Sequence, residues 1–129
     1  MTTQQPPALN NAPKTLRESL ERAVVFLEEN DISSALYEDS NGCPCLIGSY
    51  FSKDQRAWII AEGMNEQPIY KTVKTIGEQN LTAMTAMTTN QCSVLQHEFD
   101  AGRGDKLQTK ILDILTIKKG SINGIEFTL

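Results

Sequence analysis

Three cysteines and one histidine are the residues of this chain best suited to chemistry. Cys43 and Cys45 lie inside the run Glu38-Asp39-Ser40-Asn41-Gly42-Cys43-Pro44-Cys45-Leu46-Ile47-Gly48, and Cys92 precedes His97 by five positions. Thiolates and an imidazole are ligands that suit tetrahedral zinc, so Cys43, Cys45, Cys92 and His97 form one possible metal set. Cys-x-Cys is tighter than the usual ligand spacing. Five residues of helix rotate by roughly 140°, so Cys92 and His97 face one ion only if Cys92 precedes the helix. The same residues suit nucleophilic catalysis, with a Cys43 or Cys45 thiolate, His97 as base, and Glu98 or Asp100 as orienting carboxylate. The alternative is that Cys45 and Cys92 are small buried hydrophobes, as free cysteines usually are. The leading expectation is a non-enzymatic protein without a cofactor; a zinc- or thiol-dependent site is the second reading.

The rest of the chain sets the frame for those side chains. At 129 residues with 40% apolar content it is expected to form one globular domain over 14–129, preceded by a disordered arm over 1–13 that is polar and rich in Pro, Asn and Gln. Three cysteines cannot all pair within one chain, which fits reduced thiols and a cytoplasmic setting. No basic leader precedes an apolar run, and no stretch approaches the length of a membrane span, so neither secretion nor membrane insertion is expected. The net charge of −4 argues against general nucleic-acid binding, which needs clustered cations. Lys106, Lys110, Lys118 and Lys119 do cluster late in the chain, but without interleaved aromatics. No Gly-rich phosphate loop is present. Arg103-Gly104-Asp105 falls between two expected helices and reads as an accident of composition.

Patterning predicts a mainly helical α+β domain of about five short helices with a small β-hairpin or sheet. Thr15-Leu16-Arg17-Glu18 is a capping box, and Leu16, Leu20, Ala23, Val24 and Leu27 form one helical stripe ending near Asn30. Ile32 to Glu38 reads as a strand entering an Asn41-Gly42 turn, with Pro44 on an outer edge or opening a helical turn. Ser52 to Gln55 caps a second helix, and a third fits Glu66 to Gly77. Thr82 to Met87 reads as a connector that places Met84 and Met87 as core filler. Helices capped by Asn90 and by Asp105 follow, the last finished by Lys118, Lys119 and Gly120. Ile125 to Leu129 alternates as a strand, with a partner expected near Ile32 to Tyr37.

This layout resembles a family of short bacterial and phage proteins known only as a domain of unknown function. The resemblance runs through Asp39 and Gly42, then Cys45-Leu46-Ile47-Gly48, then Leu95 to Asp100 and the helix after Asp105, covering roughly residues 15–117. Phe99-Asp100 stands where that family carries Asn-Asp. The resemblance implies a mobile-element or phage accessory protein and no particular activity.

Charge gives the functional expectation. Between Ala23 and Ser52 the chain carries Glu28, Glu29, Asp31, Glu38 and Asp39 with no Lys or Arg. This acidic zone is expected to meet the basic surface of a protein partner, with Tyr37 and Tyr50 as aromatic anchors. The resulting expectation is a small binding module that inhibits or modulates a host protein.

Overall fold

The computed structural model describes residues 12–29 and 36–129. These hold six α-helices, α1 (Leu16–Glu29), α2 (Lys53–Ala61), α3 (Ile69–Ile76), α4 (Glu78–Thr85), α5 (Thr89–Asp100) and α6 (Gly104–Ile117). A 3-10 turn spans Ile47–Tyr50, and two antiparallel strands, β1 (Lys119–Ile122) and β2 (Ile125–Thr128), close the chain. The domain is mainly helical α+β. The expected arm falls almost wholly outside the described residues, as do most of the expected Ile32–Glu38 strand and Asp31.

Local sequence explains most helix ends. The Thr15 hydroxyl accepts the Glu18 amide at 3.1 Å, while the Glu18 carboxylate takes the Lys14 amide at 3.2 Å. Ser52 and Gln55 form a reciprocal capping box, as do Thr88 and Gln91. The latter starts α5 two residues earlier than an Asn90 cap implies. Asp105 caps nothing by side chain; it sits in the first turn of α6, where a carboxylate suits the dipole.

Three expectations are corrected. Residues Thr82 to Met87 are no mere connector, because Glu78–Thr85 is a helix that buries Leu81 and Met84. Gly77 at φ +88° breaks the chain between α3 and α4, and Ala86 at φ +57° ends α4. The last helix stops at Ile117 with Lys118 in the left-handed region, so Lys119 and Gly120 belong to a strand instead. The C-terminal strand pairs with its neighbour β1, where the expected partner was the Ile32–Tyr37 segment, most of which lies outside the described residues. Asn123 (φ +49°) and Gly124 (φ +82°) supply the two positive φ values of a two-residue hairpin turn.

The core gathers Leu20, Ala23 and Leu27 of α1, Leu95 and Phe99 of α5, Leu107, Ile111 and Ile114 of α6, and Phe127 of β2. Helices α1 and α6 are paired, with the Gln108 side chain donating to the Val24 carbonyl at 3.2 Å. Phe26 meets Phe99 edge to face at 5.4 Å. The hairpin is held by Gln91, which donates to the Glu126 carbonyl at 3.0 Å, and by Asn123, which donates to Glu98 at 2.9 Å.

Candidate functional site

The Cys43 segment is a tight turn built by Asp39. Its carboxylate accepts the amides of Asn41 (2.8 Å) and Cys43 (2.9 Å), and positive φ falls on Gly42. Glu38 and Pro44 form an isolated antiparallel bridge across the turn. Cys43 lies in the exposed turn, and Cys45, two residues on, has entered the core.

Cys45 accepts the Gly48 amide at 3.2 Å, yet burial outweighs this contact and pushes its thiol up to about 12. Cys92 lies against the Thr85 hydroxyl at 3.4 Å, and burial likewise pushes it up to about 12. Both are thiols at neutral pH, whereas nucleophilic attack and metal binding require the thiolate. His97 is exposed on α5. Cys43, Cys45, Cys92 and His97 therefore divide between surface and core, and among the described residues no three His, Cys, Asp or Glu side chains come together to hold a metal ion. A thiol-specific chromophore should titrate one of the three cysteines rapidly in the native protein and all three in denaturant. Rapid native reaction of two or more would show that Cys45 or Cys92 is accessible.

Beside Cys45 lies a half-open cleft of about 210 Å³, walled by Tyr37, Pro68, Ile69, Gln96 and Asp100 among others. Gln96 organises it, accepting the Ile47 amide at 2.9 Å and donating to Asp100 at 2.6 Å. Burial holds the Asp100 carboxyl above the usual aspartate range, against the opposing hydrogen bond from Gln96. Of the suggested catalytic set, Cys45 and Asp100 do share this cleft. Glu98 does not join them: its carboxylate receives both Nε (3.1 Å) and Nη2 (2.6 Å) of Arg103.

The acidic zone divides. Glu38 pairs with Arg56 at 3.0 Å, and Arg56 also donates to the Phe51 carbonyl at 2.7 Å, so this charge ties the loop to α2. Asp39 is occupied in its turn. Tyr37 and Tyr50 are corrected as surface anchors, being only 2% and 5% exposed. Tyr37 stacks on Phe51 and donates to Thr72 at 2.7 Å; the Tyr50 hydroxyl donates to the Ser19 carbonyl. Each ring is large enough to be more stable inside once its hydroxyl has a partner.

What remains exposed is α1. Glu28 and Glu29 occupy its last turn, which contains no basic residue. Carboxylates there face the negative end of the helix dipole, an unfavourable placement. A groove of about 510 Å³ runs beside the helix, lined by Glu18, Glu21, Arg22, Val25, Phe26 and Glu29 with Ser49 across from them. Val25 is 52% exposed within it. Sequence reading missed this groove, although one signal was available. Val25 stands opposite the Leu20, Ala23 and Leu27 stripe at 100° per residue, an apolar side chain on the polar face.

No protein-family model, curated protein or solved structure matches the chain. No helix among the described residues is long and apolar enough to cross a membrane.

Proposed function

We propose that this protein is a non-enzymatic binding module that docks on a basic surface of a larger protein through the outer face of α1. The supporting observation is the pair Glu28 and Glu29 at the negative pole of α1, beside a groove that exposes Val25. Carboxylates at the negative pole of a helix are the placement that cations of a partner would favour. Cations from the partner would relieve both the carboxylates and the helix end, and apolar contact at Val25 would contribute the desolvated centre. In the mobile-element setting that the resemblance over residues 15–117 implies, the partner is a host protein that docking inhibits or modulates.

The two roles of Glu28 and Glu29 predict opposite effects of one change. The double variant Glu28→Lys/Glu29→Lys should stabilise the free protein by a few tenths of a kcal/mol, because cations suit that helix end. The same variant should lose partner capture at least tenfold, as should Val25→Asp. Tyr70→Ala, which alters an exposed side chain on α3, should capture normally. The measurement is a tagged pull-down from host lysate with these four proteins, read by mass spectrometry, alongside thermal melts. A stoichiometric partner retained equally by all four proteins would remove α1 as the docking face.

A further inference from the structure

The groove also specifies the form of its occupant. We infer that it receives a basic amphipathic helix of the partner, lying along α1 with an apolar side chain on Val25. Lys or Arg side chains of that helix face Glu18, Glu21 and Glu29. This inference rests on the docking reading above and names what docks.

The first argument is backbone satisfaction. The groove is bounded by α1 and, through Ser49, by the 3-10 turn, and both use their backbone groups internally. Neither offers a strand edge. An extended peptide laid here would find no ladder partners, whereas a helix arrives with its backbone bonds already made. The second argument is spacing. Glu18, Glu21, Arg22, Val25 and Glu29 recur at intervals of three, one, three and four, forming a continuous ridge on one side of α1. The ridge covers roughly 16 Å of axis, about three turns of a facing helix. Side chains of a second helix at i, i+3, i+4 and i+7 can interdigitate with such a ridge.

The third argument is charge complementarity. Three carboxylates line the groove against one guanidinium, an excess of two negative charges (3 − 1 = 2). The ligand is therefore basic opposite Glu18, Glu21 and Glu29 and apolar opposite Val25. A uniformly cationic chain fits less well.

The test uses the full-length protein and three labelled 15-residue peptides in fluorescence anisotropy. One is an amphipathic Leu/Lys helix; the second has the same composition interrupted by two prolines; the third is a Leu/Glu helix. The Leu/Lys helix should bind at least tenfold more tightly than either other peptide. Val25→Asp and Glu21→Lys/Glu29→Lys should each weaken it at least tenfold, with native circular dichroism retained. Equal binding of the helical and proline-interrupted peptides would overturn the inference, as would Val25→Asp binding like wild type. The two levels fail separately. If Val25→Asp abolishes capture of the lysate partner but helicity of the peptide makes no difference, docking stands and the helical occupant does not. Sedimentation at 10 to 100 µM gives a second check. A dimer that Val25→Asp dissolves would identify the occupant as a second copy of this chain and overturn the foreign-helix assignment.

Discussion

Gly48→Ala is expected to destabilise the domain by about 2–4 kcal/mol, lowering the urea midpoint accordingly. A Cβ at this position would stand 2.5 Å from the Tyr37 carbonyl oxygen and 3.2 Å from the Cys45 sulfur. The obstacle is backbone, and backbone that is held. The Tyr37 amide donates to the Asn65 carbonyl at 3.2 Å. The Asn65 side chain then accepts the Glu38 amide at 3.0 Å and donates to the Glu38 carbonyl at 2.9 Å. Retreat of Tyr37 would break these bonds and lift its ring off Phe51. Gly48 is equally fixed, since its carbonyl accepts both the Phe51 amide and Arg56. Gly63→Ala is the contrast: φ there is +75° but the space is open, so the expected cost is near 1 kcal/mol. If Gly48→Ala stays within about 0.5 kcal/mol of wild type, the loop is not pinned against the 3-10 turn.

The same region shows where local sequence stops being informative. Helix α1 was legible because its stripe and its Thr15 cap lie within one continuous segment; the hairpin at Asn123-Gly124 was missed, although Asn-Gly suits the two positive φ values it needs. The pairing partner of Ile125 to Leu129 was misread because alternation reports a buried face and carries no information about the neighbouring strand. Lys118, Lys119 and Gly120 look like a helix end by dipole and glycine rules, but Lys118 itself takes the left-handed position, two residues before Gly120. Long-range bonds had no local signature at all. Gln96 meets Ile47 across 49 residues, and Asn123 meets Glu98 across 25. Those bonds decide that Gln96 and Glu98 face inward on a helix whose polar residues read as surface. Burial of Tyr37 and Tyr50 has the same origin, because each depends on a hydroxyl acceptor supplied from a distant segment. Of the expected acidic zone, Glu28 and Glu29 are exposed and Asp31 lies outside the described residues; the charges of Glu38 and Asp39 are spent on Arg56 and on a turn.

Glu98→Gln is expected to cost about 1.5–3 kcal/mol at neutral pH, the range for hydrogen bonds to a buried charged group. Glu98 is 3% exposed, and its carboxylate joins three segments: its own helix α5, Arg103 at the start of α6, and Asn123 in the hairpin turn. The paired hydrogen bonds from Arg103 hold this carboxyl below the usual glutamate value of 4.5, with Asn123 adding to the effect. A depressed folded-state value means stability that is complete above pH 4.5 and lost as pH falls through the folded value. Gln cannot titrate, so the gap between wild type and Glu98→Gln should be full at pH 6 to 7 and close on acidification. Asp100, two residues on, has the opposite sign. Its carboxyl is raised above the usual 3.8 by burial, so its contribution is present below pH 3.8 and disappears as pH rises through the folded value. Asp100→Asn keeps an acceptor for Gln96 and should therefore be as stable as wild type in acid and more stable at pH 7. Thermal or urea unfolding of the two variants from pH 3 to 7 separates the carboxylates. A Glu98→Gln deficit that persists undiminished to pH 3 would mean that shape, and not charge, fastens the hairpin to the α5–α6 corner.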